Sequence, residues 1–168
     1  MAHELGLEEH GEGTLLHALE CEGDLGGAAR DGVSCTICHG ITPDGLGTPA
    51  SYSGEFRLNE ERRMYGPHEN PVPHPMNMRS GFTPTFAEHV TSSALCGSCH
   101  TLFTHAMAAD GEESGKVFAE QTPYLEWRNS AFDEERDSPG PHATSCQDCH
   151  VPTADADGKP IRTNLAHN

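Results

Sequence analysis

Cysteine and histidine are the residues whose spacing carries chemistry in this chain. Cys35-Thr36-Ile37-Cys38-His39, Cys96-Gly97-Ser98-Cys99-His100 and Cys146-Gln147-Asp148-Cys149-His150 share one pattern, C-x-x-C-H. That pattern is the attachment signature of c-type haem. Two thiols add across the two vinyl groups of one porphyrin, and the next histidine is placed to ligate its iron. Three copies in 168 residues imply three covalent haem c groups. Cys35, Cys38, Cys96, Cys99, Cys146 and Cys149 are then the attachment residues, and His39, His100 and His150 the proximal ligands. Zinc modules set their C-x-x-C pairs roughly 15–20 residues apart and in even number. Here three pairs begin at 35, 96 and 146, which is 61 and 50 residues apart. A redox dithiol needs no histidine after each pair. Cys21 is left without a pair, as a plain thiol or, more sharply, an intermolecular disulfide partner.

Twelve histidines less the three proximal ones leave His3, His10, His17, His68, His74, His89, His105, His142 and His167. Such a surplus beside haem motifs points to distal ligation, with two imidazoles per iron. Met64, Met76, Met78 and Met107 are the thioether alternatives, but methionine near a porphyrin more often packs.

The runs "RRMYGPHENPVPHPM", "SGFTPTFAEHVTSSALCGSCHTLFTHA", "EQTPYLEWRNSAF" and "SCQDCHVP" resemble a family of multihaem cytochromes c. That family is related to the nitrifiers' tetrahaem cytochrome and to hydroxylamine oxidoreductase-like haem scaffolds. The resemblance covers roughly residues 28 to 168, and it implies closely stacked, mainly bis-histidine haems used for electron transfer. It favours His89, His105 and His167 as distal ligands. It places His89 in a helix leading into the second motif and His105 near the far end of a helix carrying that motif, serving a neighbouring iron. His68, His74 and His17 are reserves. The first motif lies among glycines and prolines, so its distal ligand comes from far away in sequence, from another chain, or from nowhere.

The elements that must position these groups are built from thin material. Only 35% of the residues are hydrophobic and 6% aromatic, while 18 Gly and 12 Pro favour turns. A small chain so poor in apolar side chains usually needs staples, and haems would serve. The expected fold is mostly α with extensive irregular loops, one trihaem domain over residues 1–168. A helix is expected around Thr14–Glu20, a turn at Pro43-Asp44-Gly45, a strand or hairpin arm over Tyr52–Leu58, and extended polyproline-like chain through Pro71, Pro73 and Pro75. Thr83-Pro84 reads as a cap opening a helix through His89, and another helix is expected from Cys99 to Ala108. Thr122-Pro123 repeats the cap and opens Tyr124–Phe132, and residues 133–145 read as loop.

The charge, 10 − 26 = −16, opposes binding to nucleic acid and anionic membranes and favours redox partners with basic docking surfaces. No apolar run is long enough for a membrane span. Covalent haem attachment places the protein in the periplasm or outside the cell, so a processed form or a piece of a longer chain is expected. Self-assembly through haem contacts is compatible with the spare Cys21 and the abundant histidine. Two functions are in view. The first is electron carriage through packed haems. The second is the haem domain of an enzyme acting on a small nitrogen or sulfur compound at a five-coordinate iron, with His68, His74 or Tyr65 lining the pocket.

Overall fold

A computed structural model describes residues 33–161. The expected Thr14–Glu20 helix, and His17, Cys21 and His167, lie outside the described residues. The chain divides into two units, residues 1–37 and 38–168.

The expectation of a mostly helical fold is not met. Only about 26% of the structure is helical, against 21% strand. Five helices of four to seven residues occur among the described residues: α1 (Cys35–Cys38), α2 (His74–Ser80), α3 (Ser93–Gly97), α4 (Pro123–Arg128) and α5 (Cys146–His150). Four strands form two two-stranded sheets: β1 (Arg63–Gly66) with β2 (Thr83–Phe86), and β3 (Leu102–Met107) with β4 (Glu113–Gln121). Glycine, proline and short polar residues interrupt every periodic run before a long helix can propagate.

The strands β1 and β2 are parallel, with Tyr65 opposite Thr85. A parallel pair needs a long crossover, and α2 supplies it. Asn77 donates to the Thr83 hydroxyl at 3.1 Å and Arg62 to the Ser80 carbonyl at 2.9 Å. The chain through Pro71 and Pro73 is irregular, but Pro75 sits in the first turn of α2, where a missing N–H is tolerated. Thr83-Pro84 therefore starts a strand and not a helix. Its β-branched and aromatic neighbours suit a pleat, and His89 sits on a 3₁₀ turn, Glu88–Thr91. Residues Tyr52–Gly54 form another 3₁₀ turn, and only Leu58 of the expected arm pairs, in a bridge with Ile41.

The segment expected as helix after Cys99 is the antiparallel hairpin β3–β4, with His105 opposite Val117. Leu102 to Met107 alternate between half-buried and exposed, the period of a strand. The Pro43-Asp44-Gly45 turn forms, and so does the helix at Thr122-Pro123, although it ends at Arg128 and Thr122 makes no side-chain cap.

The apolar core of the described residues is Ile41, Ala94 and Tyr124. Tyr124, 2% exposed, lies in a slot made by two glycines. A Cβ on Gly97 would fall 2.7 Å from the Tyr124 ring, and one on Gly47 2.9 Å from its hydroxyl. Gly97 lies inside the second C-x-x-C-H motif, so this contact sets α3 directly against α4. Gly97→Ala is expected to cost about 1–3 kcal/mol by overpacking, read from the melting temperature. An unchanged Tm would show that the ring has room to shift.

Candidate cofactor site

The first motif begins on α1, and His39 follows it. His39 donates from Nδ1 to the Tyr65 carbonyl at 2.5 Å, while the Tyr65 N–H returns a 2.8 Å bond to the His39 carbonyl. Asn59 secures the same corner, bridging the Gly40 and Arg63 carbonyls at 2.9 and 3.0 Å. With Nδ1 engaged by that carbonyl, Nε2 is the ring nitrogen placed to act as a ligand. Metal-ligating histidines are commonly held this way, with the second nitrogen on a carbonyl.

The second motif runs from α3 into a turn. Ser92 caps α3, its hydroxyl accepting from the Ala94 N–H at 3.2 Å and donating to Glu135 at 2.6 Å. Glu135 also accepts from the Ala94 N–H at 2.8 Å and from the Tyr124 hydroxyl at 2.7 Å, and Arg128 lies at 3.4 Å. Burial, reinforced by the Glu135 hydrogen bond and charge, raises the Tyr124 pKa well above the usual phenol range. Buried Asp133 takes Arg128 and Arg136, each at 3.4 Å. The loop over residues 133–145 is irregular, as its composition suggests, but its acidic start pins α3 to α4.

The third motif is α5, opened by a reciprocal cap: Ser145 Oγ accepts from the Asp148 N–H, and Asp148 accepts from the Ser145 N–H, each at 3.0 Å. The Ser145 backbone bond, then its hydroxyl, holds the Asp148 carboxyl below its ordinary 3.8. A depressed carboxylate stabilises the fold above its unfolded pKa, and that contribution is lost as pH falls through the folded value. Ser145→Ala is therefore expected to cost about 1 kcal/mol at pH 7 and to flatten the stability profile below pH 3.8. Urea unfolding at pH 7 and pH 3 measures both effects.

Two cavities bring the motifs together. The first, about 960 Å³, has Cys38, His39, Cys96, Glu134, Gln147 and Asp148 in its wall. The second, about 550 Å³, is lined by Cys96, His100, Tyr124, Trp127, Cys146, Cys149 and His150. Both volumes fall in the ~300–1,000 Å³ range of cofactor-sized clefts. Tyr124 and Trp127 stack at 5.8 Å and give the second cavity an aromatic side. Cys96 stands in both walls. Burial first, then the Cys146 and Cys38 sulfurs beside it, push its thiol up to about 11. In the first cavity, burial and the neighbouring Asp148 and Glu135 carboxylates raise the Glu134 pKa.

The candidate distal histidines separate. His89 is half-buried, its ring edge-on to Tyr65 at 5.0 Å, and its Nε2 donates to the Ile41 carbonyl at 2.8 Å. His105, expected on a helix, is an exposed strand residue 3.5 Å from Glu113 and lines neither cavity. His68 and His74 are exposed, although Pro67, next to His68, belongs to the first cavity wall. Nothing in the residue pattern marks the carbonyl of Tyr65, Gln147 or Glu135 as part of the site. Each acts through a partner 26 to 57 residues away or through a loop that reads as featureless.

These residues fit a covalently held haem. The attachment cysteines are exposed or half-buried, His39 is oriented by a carbonyl, and the cavities adjoin the motif histidines. The small apolar core leaves room for a cofactor to complete the interior. Among the described residues no three His, Cys, Asp or Glu side chains form a metal cage, and a haem iron, with one or two protein ligands, asks for none. No helix among the described residues is long and apolar enough to cross a membrane. The chain matches no protein-family model, no curated protein and no solved structure.

Proposed function

We propose that the chain is a trihaem c-type cytochrome that carries electrons through closely packed, mainly bis-histidine haems in the periplasm or outside the cell. The observation that carries this reading is the meeting of the three motifs. Cys96 is common to two cavities, lying beside Cys38 and His39 in one and beside His100, Cys146 and His150 in the other. Separate binding modules would have no reason to share a wall. Haem bound there supplies a one-electron ferric/ferrous couple. The chain's own residues do the rest. The cysteines would hold each porphyrin, the Tyr65 carbonyl orients His39, and Tyr124 and Trp127 give the second cavity an aromatic side that would exclude water. The resemblance to multihaem cytochromes c supports the same reading. An acidic surface, at −16, suits steering toward a basic redox partner.

Optical and EPR spectra of the intact protein test the reading. Three low-spin irons are expected. A high-spin iron that binds nitrite, hydroxylamine or sulfite would replace the electron carrier with the enzyme described from sequence.

A further inference from the structure

Gln147 is the second residue of the third motif and belongs to the walls of both cavities. Its amide nitrogen donates to the Ser92 carbonyl at 2.8 Å and to the Val90 carbonyl at 3.3 Å. Val90 lies on the turn that carries His89, and Ser92 caps the helix that carries Cys96. One side chain thus fastens the third attachment helix to the segment that places the second. The Cys146 N–H reinforces the joint, donating to Ser93 Oγ at 2.9 Å. The other end of the amide is unusual. Gln147 Oε1 is buried and has no hydrogen-bond partner among the described residues. An acceptor left so is costly, and methionine would fill a similar volume without it. The cost of that oxygen is the cost of keeping the two donations that tie the third attachment helix to the segment placing the second.

We propose that Gln147 is a positioning residue that fixes the second and third haem sites relative to each other through its two amide donations. This rests on the haem reading above. In the first motif, His39 is held by the Tyr65 carbonyl.

The test compares haem-loaded, full-length Gln147→Met and Gln147→Glu with the unaltered protein. Methionine keeps the length and loses both donations. Glutamate keeps the shape, loses the same donations and adds a charge that favours ferric iron. Haem content, EPR, Tm and the midpoint potential of each haem are read, with signals assigned from single proximal-histidine variants. Both variants are expected to keep three haems. Gln147→Met should change the reduced-to-oxidised ratio of the second and third haems roughly tenfold at fixed electrode potential, about 59 mV for one electron, and move the first, whose cavity wall Gln147 also joins, by much less. Gln147→Glu should lower the potentials of the second and third most. A fall in Tm with all three potentials and EPR signals unchanged would overturn the proposal, and so would an equal shift of all three or loss of haem from every site. If the unaltered protein carries no haem, the underlying reading fails before any variant is compared.

Discussion

Glu135→Ala is expected to destabilise the protein by about 3 kcal/mol, the range for removing one partner from a largely buried charged network. The Glu135 side chain is 20% exposed. It accepts from the Ser92 hydroxyl, the Ala94 N–H and the Tyr124 hydroxyl, with Arg128 alongside. Alanine leaves the Ala94 N–H and the Tyr124 hydroxyl without that acceptor and removes the link from the loop to both helices. For a chain of this size each kcal/mol moves Tm by about 2–4 °C, so a drop of roughly 6–12 °C is expected. Glu135→Gln keeps an acceptor oxygen and should lose about half as much. A change below about 0.5 kcal/mol for the alanine variant, the size of an ordinary surface substitution, would show that the network does not hold α3 to α4.

His39→Ala is the second large effect. On the proposed haem reading, Cys35 and Cys38 would still hold the porphyrin, so haem content should stay the same. The iron would lose the ligand that the Tyr65 carbonyl orients, and roughly one third of the low-spin intensity should disappear, one haem of three. Spectra identical to those of the unaltered protein would remove His39 from the ligand set. His89 offers a sharper companion test. Its Nε2 is engaged by Ile41, so ligation requires either Nδ1 or release of that bond. His89→Ala is expected to change a low-spin signal only if the ring makes one of those adjustments.

The attachment motifs are legible because they are local: haem attachment would require two thiols and a histidine within five residues, a pattern that the sequence states whatever fold surrounds it. The same holds for the Pro43-Asp44-Gly45 turn and for the loop after residue 132. The strands were not legible. Thr83-Pro84 and Thr122-Pro123 look alike, yet only the second opens a helix. Tyr124 and Trp127 then bury against the glycine slot and Thr144, whereas Thr83 to Phe86 are drawn into pairing with a strand 20 residues earlier. Tertiary pairing overrides a local cap signal of this strength. In β3 and β4 a cue existed. Asp110-Gly111 stands between an alternating run and a second strand, which is a hairpin pattern, although it reads equally as the end of a helix. The brace on His39 was invisible because a backbone carbonyl has no identity in sequence. The role of Gln147 was hidden for a different reason, since it sits at a position of the motif that the attachment chemistry leaves open.

The central claim is that three haems are covalently attached to this chain. Intact-mass measurement under denaturing conditions, paired with haem quantification on the same sample, tests it most directly. The protein should carry the mass of three haems per chain, and substituting both cysteines of any one motif should remove one. A chain from which haem dissociates on denaturation, or one that binds metal ions through its thiols with no porphyrin, would contradict the claim.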